Sequence, residues 1–101
     1  MNNFEENLYQ IDQTNDKNKL MDFIFDWFDD RYNDFDLNTI NDVLSIIEVE
    51  KLSILALIAI SSMTLMGKEK IESRATYMQK VRDKIKKERP LELEGLLSGL
   101  E

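Results

Sequence analysis

The nearest approach to a metal motif in this sequence is DFDLNTINDVLS, Asp34 to Ser45. Asp34, Asp36 and Asn38 stand at positions 1, 3 and 5 of a calcium loop. Three later positions break the pattern. Thr39 replaces the glycine that makes the sharp turn, Asn41 takes an apolar position, and Ser45 replaces the bidentate glutamate. Ile40, Val43 and Leu44 also impose a helical period on the same residues. Helix capping by Asp36 or Asn38 is therefore the stronger reading.

A second group is the acidic row Asp22, Asp26, Asp29 and Asp30. Paired carboxylates can do acid–base chemistry when burial raises one pKa. These aspartates fall on a face expected to be solvated, so the reading that competes with chemistry is an ordinary wet surface. The sharper alternative is a docking surface for a basic partner. The chain has no Cys and no His. Thiolate metal sites, disulfides and a Ser–His pair are thereby excluded. No glycine-rich phosphate loop is present. No enzyme activity and no cofactor are expected.

These residues must be positioned by helices. The 101 residues include 3 Gly and 1 Pro, too few turn formers for a protein of many short strands. Residues 1–15 read as a loose polar arm with at most one helical turn. Asn15 or Asp16 caps a first helix over about 17–34. Its apolar residues, including Phe23, Phe25, Trp27, Phe28 and Tyr32, cover about 200° of its surface. That is wider than one packing contact needs. Phe23 and Trp27 therefore form an aromatic edge available either to a second neighbouring helix or to a partner.

A second helix is expected over about 38–49, with Ile40, Val43, Leu44 and Ile47 on one face. Ser53 is the candidate N-cap of the third, and Gly67 its terminator. No side chain from Leu52 to Met66 is charged, so this helix is expected at the centre, buried on all sides. At about 15 residues it falls short of the roughly 20 that a membrane span needs. The fourth helix, about 69–88, carries Ile71, Ala75, Met78, Val81 and Ile85 as its apolar stripe. Lys80, Arg82, Lys84, Lys86 and Lys87 gather towards its C-terminal end, where cations suit the helix dipole. The expected architecture is all-α: a compact four-helix domain over 16–89, centred on the apolar helix at 52–66.

Beyond Pro90 the tail LELEGLLSGLE is acidic and Leu-rich. Leu93, Leu96, Leu97 and Leu100 would anchor it in a groove on a larger partner, or back on its own domain. The formal charge of −7 is uneven. Residues 1–50 hold 13 acidic and 3 basic side chains, a balance of −10; residues 51–101 hold 7 and 10, a balance of +3. The overall sign argues against bulk nucleic-acid binding. MNNFEENLYQ lacks the basic and apolar regions of a secretory leader. With no disulfide and no membrane span expected, the reading is a cytoplasmic protein.

The segments FDWFDD, VLSIIEVEKLSILALIAI and SRATYMQKVRDKI, across about residues 25–85, resemble small uncharacterised helical proteins of phages and bacteria. The resemblance implies a four-helix unit and a phage-type setting. It carries no activity and no site. Two functions follow from the sequence: a non-enzymatic protein-interaction module whose contact residues include Phe23, Trp27, Asp22, Asp26, Asp30 and the tail leucines, or a subunit of a homo-oligomer. A small-ligand site in the bundle core is a third.

Overall fold

The computed structural model of the protein describes residues 4–66 and 71–88. Five α-helices form there: α1 (Phe4–Gln13), α2 (Lys17–Asn33), α3 (Leu37–Ile46), α4 (Ile54–Met66) and α5 (Arg74–Glu88). A single 3₁₀ turn, Val49–Lys51, joins α3 to α4. No strand forms among the described residues.

The helix starts are set by local polar chemistry. Asp16 accepts a hydrogen bond from the Lys19 amide at 3.1 Å, and Asp36 accepts one from the Thr39 amide at 3.3 Å. Ser53 Oγ accepts one from the Ala56 amide at 3.2 Å. Each satisfies a donor that the first helical turn leaves without a partner. Asp36 is thus spent on a cap, and the calcium-loop register ends there.

Residues 4–13 correct the expectation of a loose arm, and they raise the helix count from four to five. Phe4, Leu8 and Ile11 are spaced i, i+4, i+7, which puts them on one helical face. Phe4 and Leu8 are buried against the core. Glu5 and Glu6 in the first turn complement the N-terminal end of the helix dipole. Polar contacts then fix α1 to the corner before α4. Asp12 accepts from the Ser53 amide at 2.7 Å and from Ser53 Oγ at 2.6 Å. The Tyr9 hydroxyl accepts from the Glu48 amide at 2.9 Å.

Two boundaries also move. The second expected helix stops at Ile46, because Ile47 is already extended (φ −61°, ψ 129°) and the chain turns into the 3₁₀ corner. The last helix begins at Arg74, after a turn whose Ser73 amide donates to the Asn41 side chain at 3.1 Å. The Gly67 terminator, Pro90 and the whole tail lie outside the described residues.

The core gathers Leu8, Ile24, Phe28, Ile40, Leu44, Leu57, Ile60 and Tyr77, drawn from all five helices. Helices α2 and α4 run in the same direction. Near their N-terminal ends Leu20 and Leu55 line a common cleft, and at the other end the Tyr32 hydroxyl donates to the Met63 carbonyl at 2.9 Å. Helix α5 runs the opposite way along α4. Arg74 Nε donates to Thr64 Oγ1 at 3.0 Å, the Tyr77 hydroxyl to the Leu57 carbonyl at 3.1 Å, and Lys84 Nζ to the Leu52 carbonyl.

Helix α4 is buried on one side only. Ala56, Leu57, Ala59, Ile60, Ser61, Met63 and Thr64 face the core. Ile54, Leu55, Ile58 and Ser62 are half-buried, while Leu65 and Met66 are exposed. At 100° per residue these six fall within an arc of about 120°. The helix is apolar all round, but its neighbours cover roughly two-thirds of its girth.

Candidate functional site

The aromatic edge of α2 is covered by the chain itself. The Phe4 ring stacks on Phe23 (centroids 5.2 Å apart) and tilts against Trp27 (4.2 Å). The Arg31 guanidinium lies over the Trp27 ring at 4.6 Å. Both Phe23 and Trp27 are half-buried in this stack. The excess apolar width of α2 is thus the seat of α1, the second neighbour that the sequence left open.

Asp22, Asp26, Asp29 and Asp30 are all exposed on the far side of α2. The Asn33 side chain donates to Asp29 at 3.4 Å, and the Lys51–Glu48 ion pair, at 2.7 Å, lies elsewhere. No group of three or more His, Cys, Asp or Glu among the described residues is arranged to hold a metal ion. Leu93, Leu96, Leu97 and Leu100 lie outside the described residues, so their part in any contact is carried by sequence alone.

The basic stretch of α5 divides. Lys80, Lys86 and Lys87 are exposed, as a solvated helix end would be. Lys84 is buried. Its ammonium donates to the carbonyls of Val49 (2.8 Å), Glu50 (3.3 Å) and Leu52. A buried cation normally needs an anionic partner, and here three carbonyl dipoles of the 3₁₀ corner do that work. Lys84 ties α5 to the corner that also receives α1. Sequence reasoning missed it because charge alone does not distinguish one lysine of the run from the others.

The buried hydroxyls of α4 donate to its own backbone, while Glu5 Oε2 and Arg31 Nε are buried without a hydrogen-bond partner. Ser61 Oγ donates to the Leu57 carbonyl at 2.8 Å, and Thr64 Oγ1 to the Ser61 carbonyl at 2.8 Å. Burial pushes the Tyr77 hydroxyl well above its ordinary pKa, against a smaller opposite effect from its hydrogen bond with Ser61. It stays a proton donor to α4. Burial also raises the Tyr32 pKa, offset in part by the nearby Arg74 cation, and lowers that of Arg74. Neither tyrosine is tuned towards neutral pH, where a general acid or base works best. An open groove of about 500 Å³ lies beside the corner, with Ile46, Glu48, Glu50, Lys51, Lys80 and Asp83 on its walls. Its charges have mixed sign, and Glu48 and Lys51 pair with each other.

The outward side of α4 is uncharged and, apart from Ser62, apolar. The outer stripe of α4 runs from Ile54 to Met66 without a charge, about 20 Å at 1.5 Å per residue. Leu65 is 43% exposed and Met66 72%. On α2, Phe25 is 38% exposed. Phe25 sits only about 20° around α2 from Tyr32, whose hydroxyl reaches α4, and Asp29 and Asp22 follow about 40–60° further round. The surface therefore passes from the α4 stripe through Phe25 to the acidic row. At the Met66 end, the turn after α2 presents Phe35, 78% exposed.

Phe35 has φ +57°. The Phe35 amide donates to the Tyr32 carbonyl at 3.2 Å and the Asp36 amide to the Arg31 carbonyl at 2.8 Å. This pair of bonds is the Schellman termination of a helix, in which the left-handed position is usually glycine. A phenylalanine there carries the steric cost of that conformation while its ring gains little burial.

No protein-family model, no curated protein and no solved structure matches the chain. The geometry above is the ground for a functional reading.

Proposed function

We propose that the chain is a small non-enzymatic protein-interaction module, an adaptor or inhibitor acting on a larger assembly, with the outer stripe of α4 as its docking face. The observation that carries this reading is the stripe itself: Ile54, Leu55, Ile58, Leu65 and Met66, with Ser62 among them, on one uncharged face of a protein in which 33% of residues are charged. Single exposed apolar side chains are ordinary, whereas a contiguous row of them marks a contact surface. Phe35 supports the same reading, since an exposed ring held at positive φ costs the fold stability and gives it little in return. The reading centres the contact on α4 rather than on Phe23 and Trp27, which Phe4 covers in part. The phage-type setting implied by the sequence resemblance belongs to this proposal as its cellular context.

The test is a matched pair of chains. Ile58→Glu puts a charge in the middle of the stripe at a half-buried position, so its helical circular dichroism and thermal midpoint should stay close to those of the wild type. The wild type should recover a defined protein from its native host, and Ile58→Glu should not. Equal recovery by both chains, or a wild type that stays monomeric and recovers nothing, overturns the proposal.

A second copy of the chain is the other occupant with a specific observation behind it, because a row without charges also suits itself. On that reading sedimentation gives a dimer at micromolar concentration, which Ile58→Glu dissociates.

A further inference from the structure

We infer that the partner element seated on α4 is a cationic amphipathic helix. The inference rests on the reading of the stripe as a docking face and adds the chemistry of what docks.

Shape comes first. The stripe is about 20 Å long and one helix face wide, with Ile58 and Ser62 on either side of its midline and Ile54 and Met66 at its margins. A helix of about 13 residues matches that length and meets such a row with apolar side chains at i, i+3 or i+4, and i+7. An added strand would need free backbone donors and acceptors, and the backbone groups of α4 are spent within the helix.

Charge selects among helices. The acidic row of α2 borders the stripe through Phe25, nearest it Asp29 and Asp22 with Asp26 about 40° further round. Although Lys19 stands one turn before Asp22, no ion pair between these aspartates and a described cation forms. An element lying along α4 with lysine or arginine on its α2-facing margin gains from those carboxylates. One with glutamate there is repelled. Two occupants closer to hand have the wrong sign. A second copy carries the same net charge of −7, and net charge of that size opposes self-association. The chain's own tail, residues 91–101, has Glu92, Glu94 and Glu101 and no lysine or arginine.

The experiment uses the full chain and two synthetic 15-residue peptides with leucines at identical helical spacing. One carries lysine at its polar positions and the other glutamate, and both are titrated calorimetrically at two salt concentrations. The lysine peptide should bind, more weakly at high salt, and the glutamate peptide should bind at least about tenfold less tightly. Combined Asp22→Asn, Asp26→Asn and Asp29→Asn substitution should weaken the lysine peptide by about tenfold, as three exposed pairs together supply. Ile58→Glu, which leaves the acidic row intact, should weaken it by at least as much.

Binding that survives Ile58→Glu would reduce the effect to attraction by an acidic surface and overturn the inference. So would lysine-peptide binding that appears only when Leu93→Ser, Leu96→Ser, Leu97→Ser and Leu100→Ser are introduced, since the tail would then be the occupant. Failure of both peptides, with sedimentation showing a dimer that Ile58→Glu dissociates, overturns the cationic helix but leaves the docking face standing as a self-contact. Failure of both peptides with a monomer that recovers no protein from its host overturns the two readings together.

Discussion

Phe35 offers a test in which the usual ranking of two residues inverts. In a helix interior, glycine is less stable than alanine by about 1 kcal/mol. At Phe35 the backbone is left-handed, with φ +57° and both Schellman hydrogen bonds in place. An L-residue with a Cβ costs about 1–2 kcal/mol in that region, whereas glycine enters it freely but loses about 0.5–1 kcal/mol more chain entropy on folding. Phe35→Gly should therefore exceed Phe35→Ala in stability by roughly 0.5–1 kcal/mol. For a chain of this size that separates their thermal midpoints by about 2–8 °C, glycine the higher. The alanine variant itself should lie within about 0.5 kcal/mol of the wild type, because a ring that is 78% exposed contributes little packing. Thermal and urea unfolding followed by circular dichroism at 222 nm measure all three chains. Alanine equal to or above glycine would refute the left-handed termination of α2. A large loss in both variants would show that the Phe35 ring is packed. If Phe35 serves docking, the glycine chain should also be the poorer binder, so that stability and binding move in opposite directions.

Three further outcomes follow from the packing. Lys84→Met keeps the stem but leaves the Val49, Glu50 and Leu52 carbonyls without their donor, so urea unfolding should show a loss of about 2–3 kcal/mol; a change under 0.5 kcal/mol would remove the tether from the account. Phe4→Ala should cost about 3 kcal/mol and shift the emission of Trp27 to the red, since the ring that covers it is lost; unchanged emission would mean that α1 does not sit on α2. The Asp36 carboxyl is held below its ordinary pKa of 3.8, first by the Thr39 hydroxyl, then by the Thr39 amide, with a smaller contribution from Arg31. A depressed folded pKa gives stability that is complete above the unfolded value and is lost as the pH falls through the folded one. Asp36→Asn should accordingly flatten the acid limb of a stability–pH curve below about pH 4. An identical acid limb in both chains would contradict the cap.

The parts of the fold that depend on neighbours in sequence were legible. Asp16, Asp36 and Ser53 cap the helices where short polar side chains precede apolar periodicity, and the bond each makes reaches only three residues along the chain. The parts that depend on distant neighbours were not. Phe4, Leu8 and Ile11 have helical spacing, but so few apolar residues in a mostly polar stretch of fifteen signal a helix weakly until Phe23 and Trp27 are there to receive the Phe4 ring. The same pairing accounts for the aromatic edge of α2: its excess width was legible, its occupant was not. Lys84 looks like any other lysine of its run until the 3₁₀ corner brings three carbonyls to it. Uniform apolarity of α4 identified an element that is mostly buried, yet an unbroken pattern holds no information about which side lacks a neighbour. Phe35 went unseen for the opposite reason, because local propensity argues against the conformation it adopts.

The α4 stripe as a docking face is most directly tested by methyl-resolved NMR of the full chain during titration with the lysine peptide. Perturbation of the methyl signals of Ile54, Leu55, Ile58, Leu65 and Met66, with those of Ile24, Leu44 and Ile85 on the buried side unchanged, is the predicted result. A titration that moves only the amides of Asp22, Asp26 and Asp29, and leaves the α4 methyls where they are, would contradict it.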